Sequence, residues 1–189
     1  MQTPTAALGK MVFETALGFV GIAWSETGLS RLCLFQRDRS AVERRLEKHS
    51  AMVGGENDIP AWVAKLVGDV KAYAEGEDID FSTVPVDLSR IDDFRLAIYD
   101  AARTLAFGET TTYGELAKRA GHAGLPRETG QALGSNPVPL VIPCHRILAA
   151  GGKIGGFSAP GGSTTKESML ALEGVRVGPP PAPQQSFGF

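Results

Sequence analysis

Val138-Pro139-Leu140-Val141-Ile142-Pro143-Cys144-His145-Arg146-Ile147 is the stretch around which the rest of the chain is organised. Apolar residues and prolines fill it as far as Pro143, and a thiol and an imidazole then follow side by side. An apolar run of this length reads as a short buried strand or extended segment. Pro143 fixes its own φ and biases Ile142 towards extended backbone, which predicts a chain that reaches Cys144 held straight. A cysteine delivered from a buried segment beside a histidine is a candidate nucleophile, because the thiolate is the attacking species. The competing reading is a small buried hydrophobe next to a surface histidine, the commoner fate of a free cysteine.

With 189 residues, 43% hydrophobic and 21% charged, the chain has apolar material for one ordinary domain or two small ones. No apolar run approaches the length of a membrane span, and Met1 to Lys10 lacks the basic and hydrophobic segments of a secretory signal. Cys33 and Cys144 are the only cysteines, without paired ligand spacing, which argues against zinc and against a disulfide framework. The expectation is a reduced, cytoplasmic protein with no metal and no cofactor. The net charge of −2 is unevenly spread. Residues 1–94 carry 10 Lys/Arg against 15 Asp/Glu, and residues 95–153 carry 7 against 4. A basic stretch in an acidic protein permits a local nucleic-acid footprint, and ordinary charge scatter explains it equally well.

Taken in order, residues 11–35 alternate loosely and are punctuated at Gly18 and Glu26-Thr27-Gly28, which predicts a meander of two or three strands. Ser40, with Glu43 three residues on, predicts a capping box for a helix to about His49. Gly54 to Asp58 reads as a loop. Pro60 opens a second helix with Trp62, Leu66, Val70 and Tyr73 at helical spacing. Phe81 to Leu88 reads as another strand, and Cys33 as a structural core residue. From Asp92 the texture turns helical. Asp92 or Asp93 caps a segment broken by Gly108, Thr112 caps Tyr113 to Ala120 with Glu115 behind it, and another helix begins near Arg127. Two short helices joined by a glycine turn suggest helix-turn-helix, a weak signal alone. Gly130 and Gly134 share one helix face, leaving a flat surface for close approach or simply for packing. A last helix spans about Ser163 to Glu173, and Pro179 to Phe189 reads as a disordered Pro-rich tail.

Asn136-Pro137-Val138-Pro139, Ile142-Pro143-Cys144-His145-Arg146-Ile147, Gly152, Gly155-Gly156-Phe157-Ser158, Lys166 and Glu173-Gly174 together resemble the O6-alkylguanine-DNA alkyltransferases. Phe107-Gly108-Glu109-Thr110, Thr112 to Ala117 and Arg127 to Gly130 match upstream in order and spacing. The resemblance is close from Phe94 to Val175 and looser before that. It implies an α/β (α+β) chain: a ribonuclease H-like domain over residues 1–91, a mostly helical winged helix-turn-helix domain over 92–176, and a tail over 177–189.

The resemblance further implies a monomeric repair protein whose partner is alkylated double-stranded DNA, with no membrane association. The alkyl group of O6-alkylguanine, and by extension O4-alkylthymine, would pass irreversibly to Cys144. His145 would act as base through a water, Glu173 would orient the imidazole, and Asn136 would brace the thiol-bearing turn. Arg127 would fill the vacancy left by a flipped base and Tyr113 would rotate the nucleotide, with Gly130 and Gly134 against the groove. Leu133, Pro139, Phe157 and Ser158 would wall the pocket, and backbone carbonyls around Cys144 and Ile147 would read the guanine amino group.

Three departures from the pattern stand out. Glu128 and Thr129 follow Arg127 where relatives carry small or apolar residues, and an acid there should repel phosphates and weaken DNA binding, or neutralise the arginine by pairing with it. Phe157 replaces a common tyrosine, and the segment 158–166 is two residues longer. Two other readings remain open on sequence: an alkyltransferase-like protein that binds lesions without transfer, and a cysteine hydrolase. Cys144 itself speaks against the first. Adjacent residues of an extended segment point to opposite sides, which speaks against a direct Cys-His contact in the second.

Overall fold

Period-two alternation between Gly9 and Gln36 produces a three-stranded antiparallel meander. After a short strand β1 (Thr5–Ala7), the strands are β2 (Gly9–Thr15), β3 (Gly18–Trp24) and β4 (Leu29–Gln36), paired in the order β2-β3-β4. The computed structural model of the protein describes residues 5–7, 9–52 and 59–178. Both faces of β3 are covered. Val20, Ile22 and Trp24 join the main core, while Ala23 packs with Cys33, Val42 and Leu46 beneath helix α1 (Arg39–His49). Strand β5 (Ser50–Met52) follows and pairs in parallel with β1.

Helix α1 is not capped by Ser40. Asp38 accepts the Ser40 N–H at 2.9 Å, and Glu43 is engaged by Arg39 at 2.9 Å, so the reciprocal Ser40/Glu43 pair does not form. Helix α2 (Ala61–Ala74) starts after Pro60 as expected and buries Val63, Leu66, Val70 and Tyr73. The expected strand from Phe81 to Leu88 is also absent. Asp80 draws the Ser82 N–H and hydroxyl into a turn, and Arg103 takes the carbonyls of Ser82 and Val84, so only Val86 makes a bridge, to Leu29. Both misreadings share a cause: a short side chain binding nearby backbone outcompetes the regular ladder. The Gly54 to Asp58 loop and the tail from Pro179 lie outside the described residues.

The second half is mostly helical. Helix α3 (Asp93–Arg103) is capped by Asp92, which accepts the Arg95 N–H at 2.9 Å. It ends at Thr104, before Gly108. Strand β6 (Thr111–Thr112) leads into α4 (Tyr113–Arg119), capped by Thr112 through the Glu115 N–H. Gly121, at φ +82°, ends that region, and α5 (Pro126–Gly134) follows with proline in its first turn. Strand β7 (Ile147–Leu148) pairs in parallel with β6, and α6 (Gly162–Leu172) closes the architecture. The fold is mixed α/β, and one continuous core joins Val20 and Ile22 of the sheet to Ile98, Leu116, Leu140, Ile142 and Met169. Among the described residues no helix is long and apolar enough to cross a membrane.

The start of β4 is pinned across the chain: Leu29 donates to the Pro85 carbonyl at 2.8 Å and accepts from the Asp87 N–H at 2.9 Å. A Cβ at Gly28 would stand 2.5 Å from the Pro85 carbonyl carbon at φ +152°, where backbone cannot yield as a side chain can. Gly28→Ala is therefore expected to cost about 1–3 kcal/mol, read from urea midpoints. An unchanged midpoint would show that this crossing does not hold the sheet to the 85–87 segment.

Candidate active site

Asn136 organises the segment that carries the thiol. Its amide nitrogen donates to the Ile142 carbonyl at 2.8 Å, and its oxygen accepts the Val138 N–H at 3.0 Å. The backbone between them folds back on itself, with Ile142 N–H on the Val138 carbonyl at 3.0 Å and Leu140 at φ +77°. The Leu140 side chain is buried. Pro143, at φ −79° and ψ 65°, centres an inverse γ-turn closed by the Cys144 N–H on Ile142 at 2.8 Å. A 3₁₀ turn over Cys144–Arg146 follows. The segment is buried as expected but is neither a strand nor straight. Asn136 and the turns satisfy its backbone groups locally, where an extended run would need a neighbouring strand.

His145, Arg146 and Glu173 are all buried. His145 Nε2 lies 2.7 Å from Glu173 Oε1, Arg146 Nε donates to Oε2 at 2.9 Å, and Arg146 Nη2 donates to Oε1 at 3.1 Å. The Tyr73 hydroxyl donates to Oε1 at 2.9 Å, and the Gly108 N–H to Oε2 at 3.0 Å. Arg146 spends Nη1 on the Leu105 carbonyl at 2.6 Å. Sequence reading gave Glu173 a single partner. It counted Tyr73 only as part of an apolar helix face and gave Arg146 and Gly108 no function. A buried tyrosine needs an acceptor for its hydroxyl, and an arginine beside a buried histidine needs an acid, so both residue types carried a usable signal.

The electrostatics divide the labour. Burial opposes ionisation of Glu173, but hydrogen bonds from His145 and Arg146, with their charge and the Gly108 N–H, outweigh it and hold the carboxyl at about 2. Burial pulls the His145 pKa down, against the raising influence of Glu173, so the imidazole is neutral at pH 7. With Nε2 facing a carboxylate, a neutral ring carries its proton there and leaves Nδ1 as an acceptor. Nδ1 is buried and has no hydrogen-bond partner among the described residues. Burial also pushes the Cys144 thiol up, opposed by the Asn136 hydrogen bond and the Lys166 charge. Lys166 is itself buried, brought down to about 8 by desolvation, with Nζ donating to the Ile147 carbonyl and, at 3.4 Å, to Gly156.

Cys144 forms part of the wall of a cavity of ≈ 500 Å³ lined also by Tyr113, Arg127, Gly130, Leu133, Gly134, Phe157 and Ser158. Of the expected pocket and base-handling residues, this brings all but Pro139 and Ile147 into one cavity. Pro139 lines a second cavity of ≈ 190 Å³ that shares Cys144, Gly134, Phe157 and Ser158. Ile147 is buried beneath the site, its carbonyl already engaged by Lys166. The two glycines of α5 do not serve helix packing: a Cβ at Gly134 would meet nothing within 4 Å, and one at Gly130 only the Tyr113 ring at 3.8 Å. They leave the cavity floor open. Glu128 lines a different cavity, between α3 and α5 with Arg95 and Phe94, and Thr129 is buried with its hydroxyl on the Leu125 carbonyl at 2.8 Å. Neither residue lines the cavity that holds Arg127. Among the described residues no group of three His, Cys, Asp or Glu side chains could hold a metal ion.

Comparison with known proteins gives a consistent picture. A family profile described as "6-O-methylguanine DNA methyltransferase, DNA binding domain" matches residues 93–175. The methylated-DNA–protein-cysteine methyltransferase of Methanothermobacter thermautotrophicus is 31% identical over 158 residues, 84% of this chain and 81% of that protein. The Rattus norvegicus protein of the same name is 34% identical over 175 residues, 89% of this chain and 83% of its own. Among solved structures, Mycobacterium tuberculosis OGT in complex with DNA superimposes with a TM-score of 0.66 at 31% identity, covering 87% of this chain and 91% of that one.

Glu173→Gln leaves Arg146 buried without its charge partner, and a loss of about 3–5 kcal/mol at pH 7 is expected. The wild-type carboxyl lies below its ordinary value of 4.5 at about 2, so its contribution is present above 4.5 and disappears as the pH falls to 2. Urea midpoints of wild type and variant should therefore converge across that window. A gap that stays constant from pH 5 to pH 2 would contradict the assignment.

Proposed function

Because this chain belongs to the methylated-DNA–protein-cysteine methyltransferase family and has its DNA-repair alkyl-transfer activity, we propose a single irreversible transfer for each molecule, with Cys144 as acceptor. The observation that carries the proposal is one cavity joining Cys144, Tyr113 and Arg127, backed by a buried His145–Glu173 pair. His145 takes the thiol proton through a water onto Nδ1, and Glu173 stabilises the imidazolium so formed. The sulfur attacks the alkyl carbon as the C–O6 bond breaks. The electron pair leaves with guanine, which takes up one proton. The thioether product has no leaving group comparable to a thioester's, so the protein is consumed.

The target atom is out of reach inside a duplex, so the base is flipped at a cost of a few kcal/mol. Arg127, exposed on the first turn of α5, fills the vacancy, and Tyr113, from the first turn of α4, turns the nucleotide. The open faces of Gly130 and Gly134 support close approach of α5 to the groove floor. Thr129 is buried, so the weakening of phosphate contact expected from this pair rests on Glu128 alone, exposed beside Arg127 on the first turn of α5. The helix pair α4 and α5, flanked by the β6–β7 pair, supports the winged helix-turn-helix reading of residues 92–176. The β2-β3-β4 meander beneath α1 supports the ribonuclease H-like reading of residues 1–91. We extend the reading to O4-alkylthymine, whose base is smaller than guanine. We place the protein in the cytoplasm, since a free Cys144 needs a reducing compartment, and take it to act as a monomer.

Intact-mass measurement with an O6-methylguanine duplex should show one added methyl, stopping at one equivalent and absent in Cys144→Ala. Tight lesion binding without a mass change would instead point to a lesion-binding protein. Arg127→Ala should slow transfer from duplex DNA at least about tenfold while leaving transfer from the free modified base unchanged, the signature of a residue that handles flipping. Equal slowing of both substrates would remove Arg127 from that role.

A further inference from the structure

Oxygen Oε1 of Glu173 has more donors than it needs. Among the described residues it accepts from the Tyr73 hydroxyl at 2.9 Å, His145 Nε2 at 2.7 Å and Arg146 Nη2 at 3.1 Å, while Oε2 accepts from Arg146 Nε and the Gly108 N–H. A carboxylate oxygen offers two lone pairs. Without the Tyr73 hydroxyl each oxygen would still meet two donors, so satisfying the buried acid does not require it. The hydroxyl instead shares with the His145 ring the very oxygen that the ring faces. Its hydrogen draws on the negative charge that Oε1 presents to Nε2.

The tyrosine is fixed in this position. It lies fully buried on the last turn of α2, its ring edge-on to Phe81, Phe107 and the His145 ring, with centroids 5.9, 6.2 and 6.5 Å away. Burial and the Glu173 charge push its pKa far above the ordinary phenol range, so it stays a donor whenever Glu173 is ionised. Resting on the transfer reaction proposed above, we propose that Tyr73 is a positioning residue of that reaction, its hydroxyl setting how strongly Glu173 holds the His145 ring. The hydroxyl moderates the acid: too strong a hold would leave the ring protonated at rest and useless as a base. Burial, then the Arg146 and Lys166 charges, oppose protonation of His145, and Glu173 favours it. Tyr73→Phe leaves all of these groups in place, keeps the ring contacts and loses only the hydroxyl.

The test compares wild type with Tyr73→Phe, with site-specific 3-fluorotyrosine at position 73, whose more acidic hydroxyl is the stronger donor, and with Val70→Ala, which thins the packing of α2 and alters no hydroxyl. In proton NMR at pH 7 without DNA, the His145 Nε2 proton should move downfield in Tyr73→Phe, upfield with fluorotyrosine, and stay in place in Val70→Ala. A more tightly held ring is also protonated, and lost as a base, at higher pH. The ratio of Tyr73→Phe to wild-type transfer rates from an O6-methylguanine duplex should therefore fall between pH 7 and pH 5, by up to about threefold. A resonance that does not move, or that moves alike in Val70→Ala, overturns the role of Tyr73. A rate ratio that is constant with pH also overturns it, since a purely structural loss slows transfer equally at every pH. Failure of the underlying reaction reads differently: wild type then transfers no methyl group at all, wherever the resonance lies.

Discussion

A single buried carboxylate holds the site together. Glu173 collects donors from four separate places: Tyr73 on α2, the Gly108 backbone, His145 and Arg146. An ionised acid away from water is tolerable only when each lone pair is met, and removing one partner costs several kcal/mol. The imidazole therefore cannot be in register unless α2 from the first half of the chain has packed against the 3₁₀ turn of the second. An ion pair of this kind is poor evidence for net stability, but it tolerates few alternative arrangements. The Asn136 amide does the corresponding work for the thiol, with one side chain closing two backbone hydrogen bonds around it.

Within that frame Cys144 and His145, the two side chains of the proposed reaction, are tuned by their surroundings. Burial keeps His145 neutral and Cys144 protonated at rest, so the thiol is guarded against casual oxidation or alkylation. The proposed removal of the thiol proton has support from two directions, a neutral imidazole backed by an acid and a buried ammonium on Lys166. Lys166 also ties the Ile147 carbonyl beneath the thiol to the Gly156 carbonyl at the cavity lip. The geometry of the lip and the charge near the sulfur thus depend on one side chain.

Much of the fold was legible in the sequence. The meander, the proline-opened α2, the Asp92 and Thr112 caps and the glycine stop after α4 follow from local patterns that tertiary structure reinforces. The Ser40 cap and the Phe81 strand were misread because Asp38 and Asp80 captured the backbone first, each accepting the N–H of a serine two residues on. Single-window reasoning does not weigh such competition. The curled path into Cys144 was misread because prolines and apolar residues suit an extended strand as well as a tight buried turn. Asn136 selects the turn, and nothing but its geometry shows this. The partners of Glu173 were illegible for another reason: Tyr73 lies 100 residues away in the chain, and no periodicity encodes such a meeting.

The guanidinium of Arg146 separates two kinds of information in the Pro-Cys-His-Arg run. Its planar fork meets both oxygens of Glu173 and the Leu105 carbonyl at the end of α3, three acceptors that one rounded ammonium could not satisfy together. The fourth letter of the motif is thus fixed by architecture, while the second and third are the ones to which the proposed transfer assigns the chemistry. A signature of this sort is a composite record, part reaction and part scaffold. Counting its letters overstates how many side chains take part in bond making, and a lysine at this position would test the scaffold before it tested the reaction.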